Sequence, residues 1–340
     1  MILRKKRSIA GLAAAAAVFL TSGCSAVSSE PMTYTDTLFD SVISLQIYDK
    51  KDRDILEECK ELCQKYDAMF SRTNEESEVS RINNAQGNPV EVSPDTAKLV
   101  KKGLYYGKLS NGAFDITIGS VSRLWDFKAE APAPPDPAAI ASALTHVNYR
   151  KVVVEGNTVT LQDPAAAIDL GAVAKGYIAD RLKEYLEGEG VRHALINLGG
   201  NVLAVGDKPD GSPFHIGIQK PFDKSGIPLT SVRIDDKSIV TSGTYQRYFE
   251  KDGSLYHHIL DAASGYPCNN GLASVSIITD SSLTADALST TCFLLGPEKG
   301  MNLVNQLENV EAVFVDTDNR ITYSNNFHMQ SIVHQSTIAA

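Results

Sequence analysis

Two stretches carry residue types suited to a charged ligand. The first is Ile168–Asp180, I-D-L-G-A-V-A-K-G-Y-I-A-D. Its opening residues are apolar and read as the end of a buried strand, which Gly171 interrupts. From Ala172 to Leu186, the residues Val173, Tyr177, Ile178, Leu182 and Leu186 recur at helical spacing. A strand that turns through glycine into a helix leaves backbone N–H groups at the positive end of the helix dipole, a place to hold phosphate. Asp169 and Lys175 flank that turn. The same residues also suit an ordinary helix start with a solvated lysine, and no P-loop signature is present. The second stretch is Ser281–Thr291. Within a helix there, Asp286 and Thr290 are four residues apart and share a face. A carboxylate and a hydroxyl so placed offer oxygens to one hard cation, and magnesium takes such ligands while keeping water or phosphate in its other positions. The alternative is an acidic residue favoured by the helix dipole, with Thr290 bonded to its own i−4 carbonyl.

These stretches need a scaffold. Val42–Tyr48 alternates apolar and polar residues and is expected to be a strand; Asp54–Phe70 is an amphipathic helix with Ile55, Cys59, Leu62, Tyr66 and Met69 on one stripe. A polar loop is expected from Ser71 through Asn84. Ser93-Pro94-Asp95 starts a helix that runs to about Ser110. Ala113–Ile118 reads as a strand, and Ala131–Pro137, with four prolines, as a surface loop. Hairpins are expected over 151–161, 245–260 and 312–323, strands over 193–197, 202–205, 214–219, 231–234, 238–241 and 272–279, and helices over 281–295 and 297–307. Residues after Asn325 are polar and expected to fray. Short strands in hairpins outnumber helices, so the fold class is α+β rather than a doubly wound parallel sheet.

The bulk properties bound the function. The chain has 340 residues, with 43% hydrophobic and 21% charged, as in a soluble globular protein. Arg4, Lys5, Lys6 and Arg7 precede the short apolar run Ile9–Leu20, and Leu20-Thr21-Ser22-Gly23-Cys24 resembles a bacterial lipobox. Residues 1–23 are therefore expected to be a lipoprotein signal peptide, Cys24 the lipid-modified first residue, and 24–34 a tether. The folded domain is expected over 35–325, with 326–340 as a tail. Loss of residues 1–23 removes four cations and no acid, taking the formal charge from −9 to −13. Such a chain has no basic stripe for nucleic acid, and a phosphate-bearing ligand would need local cations or a metal ion. The seven histidines show no metal-ligand spacing. Cys59, Cys63, Cys268 and Cys292 include no C-x-x-C pair, and their connectivity is open.

Eight motifs in order define a resemblance: F-D-S-V-I-S-L, S-E-V-S-R-I-N, S-N-G-A-F-D-I-T-I-G, the 168–180 stretch, N-L-G-G-N, T-S-G-T-Y, H-H-I-L-D-A-A-S-G and T-A-D-A-L-S-T. They extend over nearly the whole mature chain, and the series resembles the ApbE family of FAD:protein FMN transferases. The resemblance implies one α+β unit of two lobes, mixed or antiparallel sheets with packed helices, and FAD in the cleft between the lobes. It implies magnesium-dependent transfer of FMN from FAD to a Thr or Ser hydroxyl of a redox protein partner, with AMP as leaving group. It further implies that the carbonyl of Ala172, the carboxylate of Asp286 and the hydroxyl of Thr290 hold the metal, with Ser289 adjacent. Phe39, Thr73, Ala113, Phe114, Asp115, Asp169, Lys175 and Leu260 are implied at the FAD. His258 is the candidate base, because a histidine titrates near working pH, and Asp261 would orient it or bind ligand. A lipid anchor on Cys24 would hold the enzyme outside the cytoplasm.

The chain departs from the family at three places, the mildest being Phe39 where Met is frequent. Asp261-Ala262-Ala263-Ser264-Gly265 stands where D-P-x-T-G is usual, and Thr73 where an aromatic ring is frequent. Thr73 cannot stack on a flavin or adenine. That absence favours water at the diphosphate, which makes a metal-dependent FAD pyrophosphatase the second reading. A flavin-binding lipoprotein without activity is the third.

Overall fold

The computed structural model describes residues 30–50 and 52–328. The expected signal peptide, Cys24, most of the tether and residues 329–340 lie outside the described residues.

The architecture is built on one antiparallel sheet whose strands follow chain order. Its eight strands are β1 (Met32–Leu38), β2 (Ser41–Ile47), β6 (Ala194–Leu198), β7 (Asn201–Val205), β10 (Ser238–Gly243), β13 (Leu272–Thr279), β14 (Glu311–Asp316) and β15 (Ile321–Tyr323). Every neighbouring pair is antiparallel. A meander of this kind needs no crossover, since each strand pairs with the next sheet strand in sequence. Three excursions leave it. Between β2 and β6 come the helices α1 (Arg53–Phe70), α2 (Glu78–Asn83), α3 (Pro94–Leu109), α4 (Gly119–Ser122), α5 (Pro137–Leu144) and α6 (Gly171–Gly188). The same excursion holds the small sheet of β3 (Val90–Glu91), β4 (Val152–Glu155) and β5 (Thr158–Leu161). The hairpin β8 (Phe214–Gln219)–β9 (Pro228–Ile234) separates β7 from β10, and the hairpin β11 (Tyr248–Lys251)–β12 (Ser254–His257) separates β10 from β13. Helix α7 (Ser282–Val304) joins β13 to β14. The α+β class therefore holds, with all strand pairs antiparallel.

Strand alternation assigns the faces. Ile43, Leu45, Ile47, Ile196, Leu198, Leu203, Val240, Val275 and Ile277 point to the helices and form the main core with Tyr66, Leu99, Tyr177, Ile178 and Phe293. Val202, Ala204, Ile239, Ile278 and Val313 point the other way and are covered by Phe214, Ile218, Val232 and Ile234 of β8–β9. Both faces are thus dry, which is why β13 is buried along its whole length. Burying each large apolar side chain contributes about 1.5–3 kcal/mol. A third core gathers Val121, Trp125, Ile140, Phe249 and Leu260, with the Trp125 ring stacked on Phe127 and its Nε1–H donated to the Gly265 carbonyl at 3.1 Å.

Helix α7 is interrupted at Gly296 (φ 82°, ψ 176°), directly before Pro297, so the two helices expected over 281–307 meet at a sharp break. Other expectations are corrected. β1 begins at Met32, inside the stretch expected as tether. The polar loop to Asn84 contains α2, whose start is capped by Ser77 Oγ on the Ser80 N–H. Ala113–Ile118 is not a strand. Asp115 accepts from Thr117 N (2.8 Å), Thr117 Oγ1 (2.6 Å) and Tyr149 N (2.8 Å), which folds the segment into a turn and a 3₁₀ helix at Ile116–Ile118. Ile168 belongs to no strand either. Its N–H and carbonyl are held by the Asn83 side-chain amide at 2.7 and 3.0 Å, which takes the place of a ladder partner. The proline loop ends in an unexpected helix, α5, with Pro137 in its first turn. Asn326–His328 do not fray: Asn326 Nδ2 donates to the Val310 carbonyl (2.6 Å), and Phe327 is buried against Tyr323. The four described cysteines are free thiols.

The element that fixes the rest is the contact between α6 and α7. A Cβ at Gly176 would fall 2.3 Å from the Ser282 carbonyl and 2.7 Å from Asp286 Cβ, so only glycine admits this approach. The carboxylate of Asp180, one turn on, caps α7. It accepts from Ser282 N (2.7 Å), Leu283 N (3.1 Å) and Ser281 Oγ (2.9 Å). Replacing Gly176 by valine is expected to cost at least about 1–3 kcal/mol through overpacking and to loosen the crossing; thermal unfolding measures it, and an unchanged midpoint would contradict the close approach.

Candidate active site

Between the C-terminal helix, the first helix and the third core lies a cleft of about 500 Å³, within the range of pockets that hold ligands of cofactor size. Twelve of the fourteen residues expected at the site line it: Phe39, Thr73, Ala113, Phe114, Asp115, Asp169, Ala172, Lys175, His258, Leu260, Asp286 and Thr290. Ser289 and Asp261 do not. Ser289 is fully buried behind Asp286, donating to its carbonyl at 2.9 Å. Asp261 spends its carboxylate on its own turn, accepting from Ala263 N and Ser264 Oγ at 3.0 Å each, so it is not the partner of His258. That turn closes on Gly265, whose φ of 74° lies in the left-handed region.

The residues expected at a cation stand on two adjoining helices, α6 and α7, and line one cleft. Gly176 N–H faces the Ala172 carbonyl by ordinary helix geometry and lies 2.9 Å from Asp286 Oδ2. Ala172, Asp286 and Thr290 all line the same cleft. One helical turn further along α7, Thr290 Oγ1 is 2.9 Å from Ser242 Oγ of β10, which in turn is 2.8 Å from Ser289 Oγ. Thr290 thus bonds across to the sheet rather than to its own i−4 carbonyl. Asp286 is almost fully buried. Desolvation pushes its carboxyl above the usual range, and Asp180 adds to this, while the Lys175 charge and the Gly176 N–H oppose it. Carbonyl, carboxylate and hydroxyl are hard donors and fit magnesium or a similar ion. Among the described residues no group of three or more His, Cys, Asp and Glu gathers that could hold a metal ion.

Positive charge reaches the cleft through side chains. Lys175, Arg72, Lys128 and Arg247 line it. The start of α6 is less open than the sequence implies, because the Gly171 N–H is donated to Asp169 Oδ1 at 2.9 Å. The other oxygen of Asp169 accepts from Ser122 Oγ (3.0 Å) and lies 3.8 Å from Arg72 Nε. At the rim, Asp40 pairs with Lys128 (2.5 Å) and Arg247 (3.8 Å). Asp40 and Phe39 form the two-residue turn between β1 and β2, both with positive φ (58° and 54°), and Asp67 Oδ1 accepts the Phe39 N–H at 3.0 Å. Left-handed backbone at two non-glycine residues is the twist that such a hairpin requires. Arg72, Lys128, Arg247, Asp40 and Ser242 escaped sequence reasoning. Asp40 lies inside the F-D-S-V-I-S-L motif, Ser242 inside T-S-G-T-Y, and Arg72 adjoins Thr73; Lys128 and Arg247 lie in none of the eight motifs.

His258 follows β12. Its N–H donates to the Arg247 carbonyl at 3.1 Å, and its Nδ1 lies 3.3 Å from the same oxygen. Burial, then the charges of Arg247 and Lys175 and the neighbouring His257, hold its pKa well below the usual 6.5. A carbonyl only accepts, so the neutral ring carries its proton on Nδ1 and leaves the lone pair on Nε2. His257 is fully buried and is held near 4 by desolvation. Both rings are therefore neutral in the fold at pH 7. Since unfolded histidine takes a proton below 6.5, the contribution of His257 to stability is complete above that pH and drains as pH falls toward about 4. Proton-coupled nitrogen spectra of the rings are expected to show the Nδ1–H form for His258 and no titration of either ring between pH 8 and 6.5; a midpoint at or above 6.5 would contradict the burial argument.

The chain has close relatives of known name. The ApbE family model matches residues 39–314. The FAD:protein FMN transferase of Klebsiella pneumoniae is 40% identical over 291 residues, covering 85% of this chain and 90% of that protein. The one from Treponema pallidum is 35% identical over 285 residues, covering 79% of each. Among solved structures, the ApbE protein of Thermotoga maritima superposes with a TM-score of 0.80 at 31% identity, over 88% of this chain and 98% of its own. The flavin transferase ApbE of Vibrio cholerae gives 0.79 at 27%, over the same shares.

Proposed function

The chain belongs to the ApbE family, and on that premise we propose that its cleft is the seat of FAD:protein FMN transfer, with magnesium bound, a Thr or Ser hydroxyl as acceptor and AMP as leaving group. The observation that carries the reading is that Ala172, Asp286 and Thr290 line one cleft together with Lys175 and His258. Ala172, Asp286 and Thr290 would hold the ion. When bound there, magnesium supplies positive charge to the diphosphate oxygens, the main requirement of phosphoryl transfer.

The side chains divide the remaining work. Lys175, with Arg72 and Arg247, attracts and orients the diphosphate of FAD. Leu260, Phe114 and Phe39 give apolar surface to the rings. Nε2 of His258 takes the acceptor proton as the hydroxyl oxygen bonds to the FMN phosphorus and the phosphorus–oxygen bond to AMP breaks. The charges of Arg247 and Lys175 that depress His258 are offset once an anionic dinucleotide lies between them, which raises its basicity when a base is needed. Thr73 lines the cleft with its hydroxyl 3.2 Å from Ser71 Oγ and offers no ring to stack on a flavin or adenine. This favours some hydrolysis of FAD beside transfer. Export and anchoring through Cys24 are part of the same reading and rest on the leader residues alone.

The test is a mass spectrum of the mature chain incubated with FAD, Mg²⁺ and an acceptor redox domain. One FMN should appear on a Thr or Ser of the acceptor, with AMP released. FAD consumed without labelling would replace transfer by hydrolysis; FAD untouched would end both readings. Asp286→Ala is expected to slow transfer by roughly a hundredfold or more, because several kcal/mol of charge stabilisation depend on the ion.

A further inference from the structure

We infer that Ser242 is a positioning residue, which fixes the hydroxyl of Thr290 as a pure oxygen acceptor toward the cleft and so tunes that site for a hard divalent cation. This rests on the cation reading of the site given above. The argument is a count of protons. Each hydroxyl owns one. Ser289 Oγ lies 2.9 Å from the Asp286 carbonyl, which cannot donate, so the Ser289 proton is committed there. The 2.8 Å contact between Ser242 and Ser289 must then use the Ser242 proton. The 2.9 Å contact between Ser242 and Thr290 is left to the Thr290 proton. The chain therefore runs one way, from Thr290 to Ser242 to Ser289 to the carbonyl of Asp286. Thr290 keeps only lone pairs for whatever enters the cleft.

Direction matters because the neighbouring oxygens are also acceptors. The Asp286 carboxylate and the Ala172 carbonyl offer no proton, and a Thr290 hydroxyl free to turn would present its hydrogen to a cation for part of the time. Anchoring it removes that orientation. The anchor is rigid: Ser242 is buried and belongs to β10, in register with Val275 of β13 at the centre of the sheet, and Ser289 is fully buried in α7. The sheet thereby holds the cation-facing side of α7. Partners that orient a metal ligand in this way typically govern affinity by about 10–100-fold.

Calorimetric titration of the flavin-free mature chain with MgCl₂ tests this. Ser242→Ala is expected to weaken Mg²⁺ binding about tenfold. Ser289→Ala, which does not touch the cleft, is also expected to weaken it, because Ser242 can then donate to Thr290 and the Thr290 proton turns outward. Thr290→Ala should weaken it at least as much, and the Ser242→Ala/Thr290→Ala double variant no further than Thr290→Ala alone. Unchanged Mg²⁺ affinity in Ser242→Ala or Ser289→Ala would overturn the inference, even if the unfolding temperature of the metal-free protein fell. Additive losses in the double variant would overturn the route through Thr290. Absence of Mg²⁺ binding to the unaltered chain would instead remove the cation reading itself.

Discussion

The close crossing of α6 and α7 is the constraint on which the site depends. Gly176 has no side chain, so the Ser282 carbonyl and the Asp286 side chain come within contact of the α6 backbone. Asp180 then locks the approach by capping α7 with three hydrogen bonds. The two features lie one helical turn apart and act together, glycine permitting the distance and aspartate setting the register. Asp286 could not otherwise reach the Gly176 N–H. Burying an aspartate here is unfavourable by itself, as the upward push on its carboxyl shows. A functional site is where such unfavourable burial is expected to persist.

The electrostatics of the cleft run against those of the molecule. An acidic chain gathers Arg72, Lys128, Lys175 and Arg247 around one cavity. Two of these pair with aspartates, Arg72 with Asp169 and Arg247 with Asp40, while Lys128 also pairs with Asp40. The pairs are partly exposed, so their worth to stability is small. Their use is to keep cations oriented toward an anionic ligand without leaving them unpaired. His258 belongs to the same system, since the charges that await an anion are the ones that keep its ring neutral.

Much of the fold was legible in local pattern. Alternation found β2, spacing found α1, α3 and α6, and Gly296-Pro297 marked the break in α7. The failures share a cause. At Ala113–Ile118 and at Ile168 the apolar runs look like strands, but side chains of Asp115 and Asn83 satisfy the backbone instead of a ladder. Whether a backbone N–H meets a strand or a distant amide depends on residues far along the chain, which periodicity does not register. The carboxylate of Asp261 likewise takes its donors from its own turn rather than from His258.

What the sequence supplied by itself was a set of candidate residues, picked by type and local spacing. Ordered motifs identified twelve residues that line one cleft, since the chemistry of a ligand selects residue types and their local spacing. Only the tertiary structure decided how those residues stand to one another. Ser289 went behind the cleft, Thr290 faced it, and Ser242 came to join them from a strand 47 and 48 residues away. Hydrogen bonds between distant segments form only where packing brings the backbones together, and here the packing was set by a glycine that contributes no atom to the chemistry.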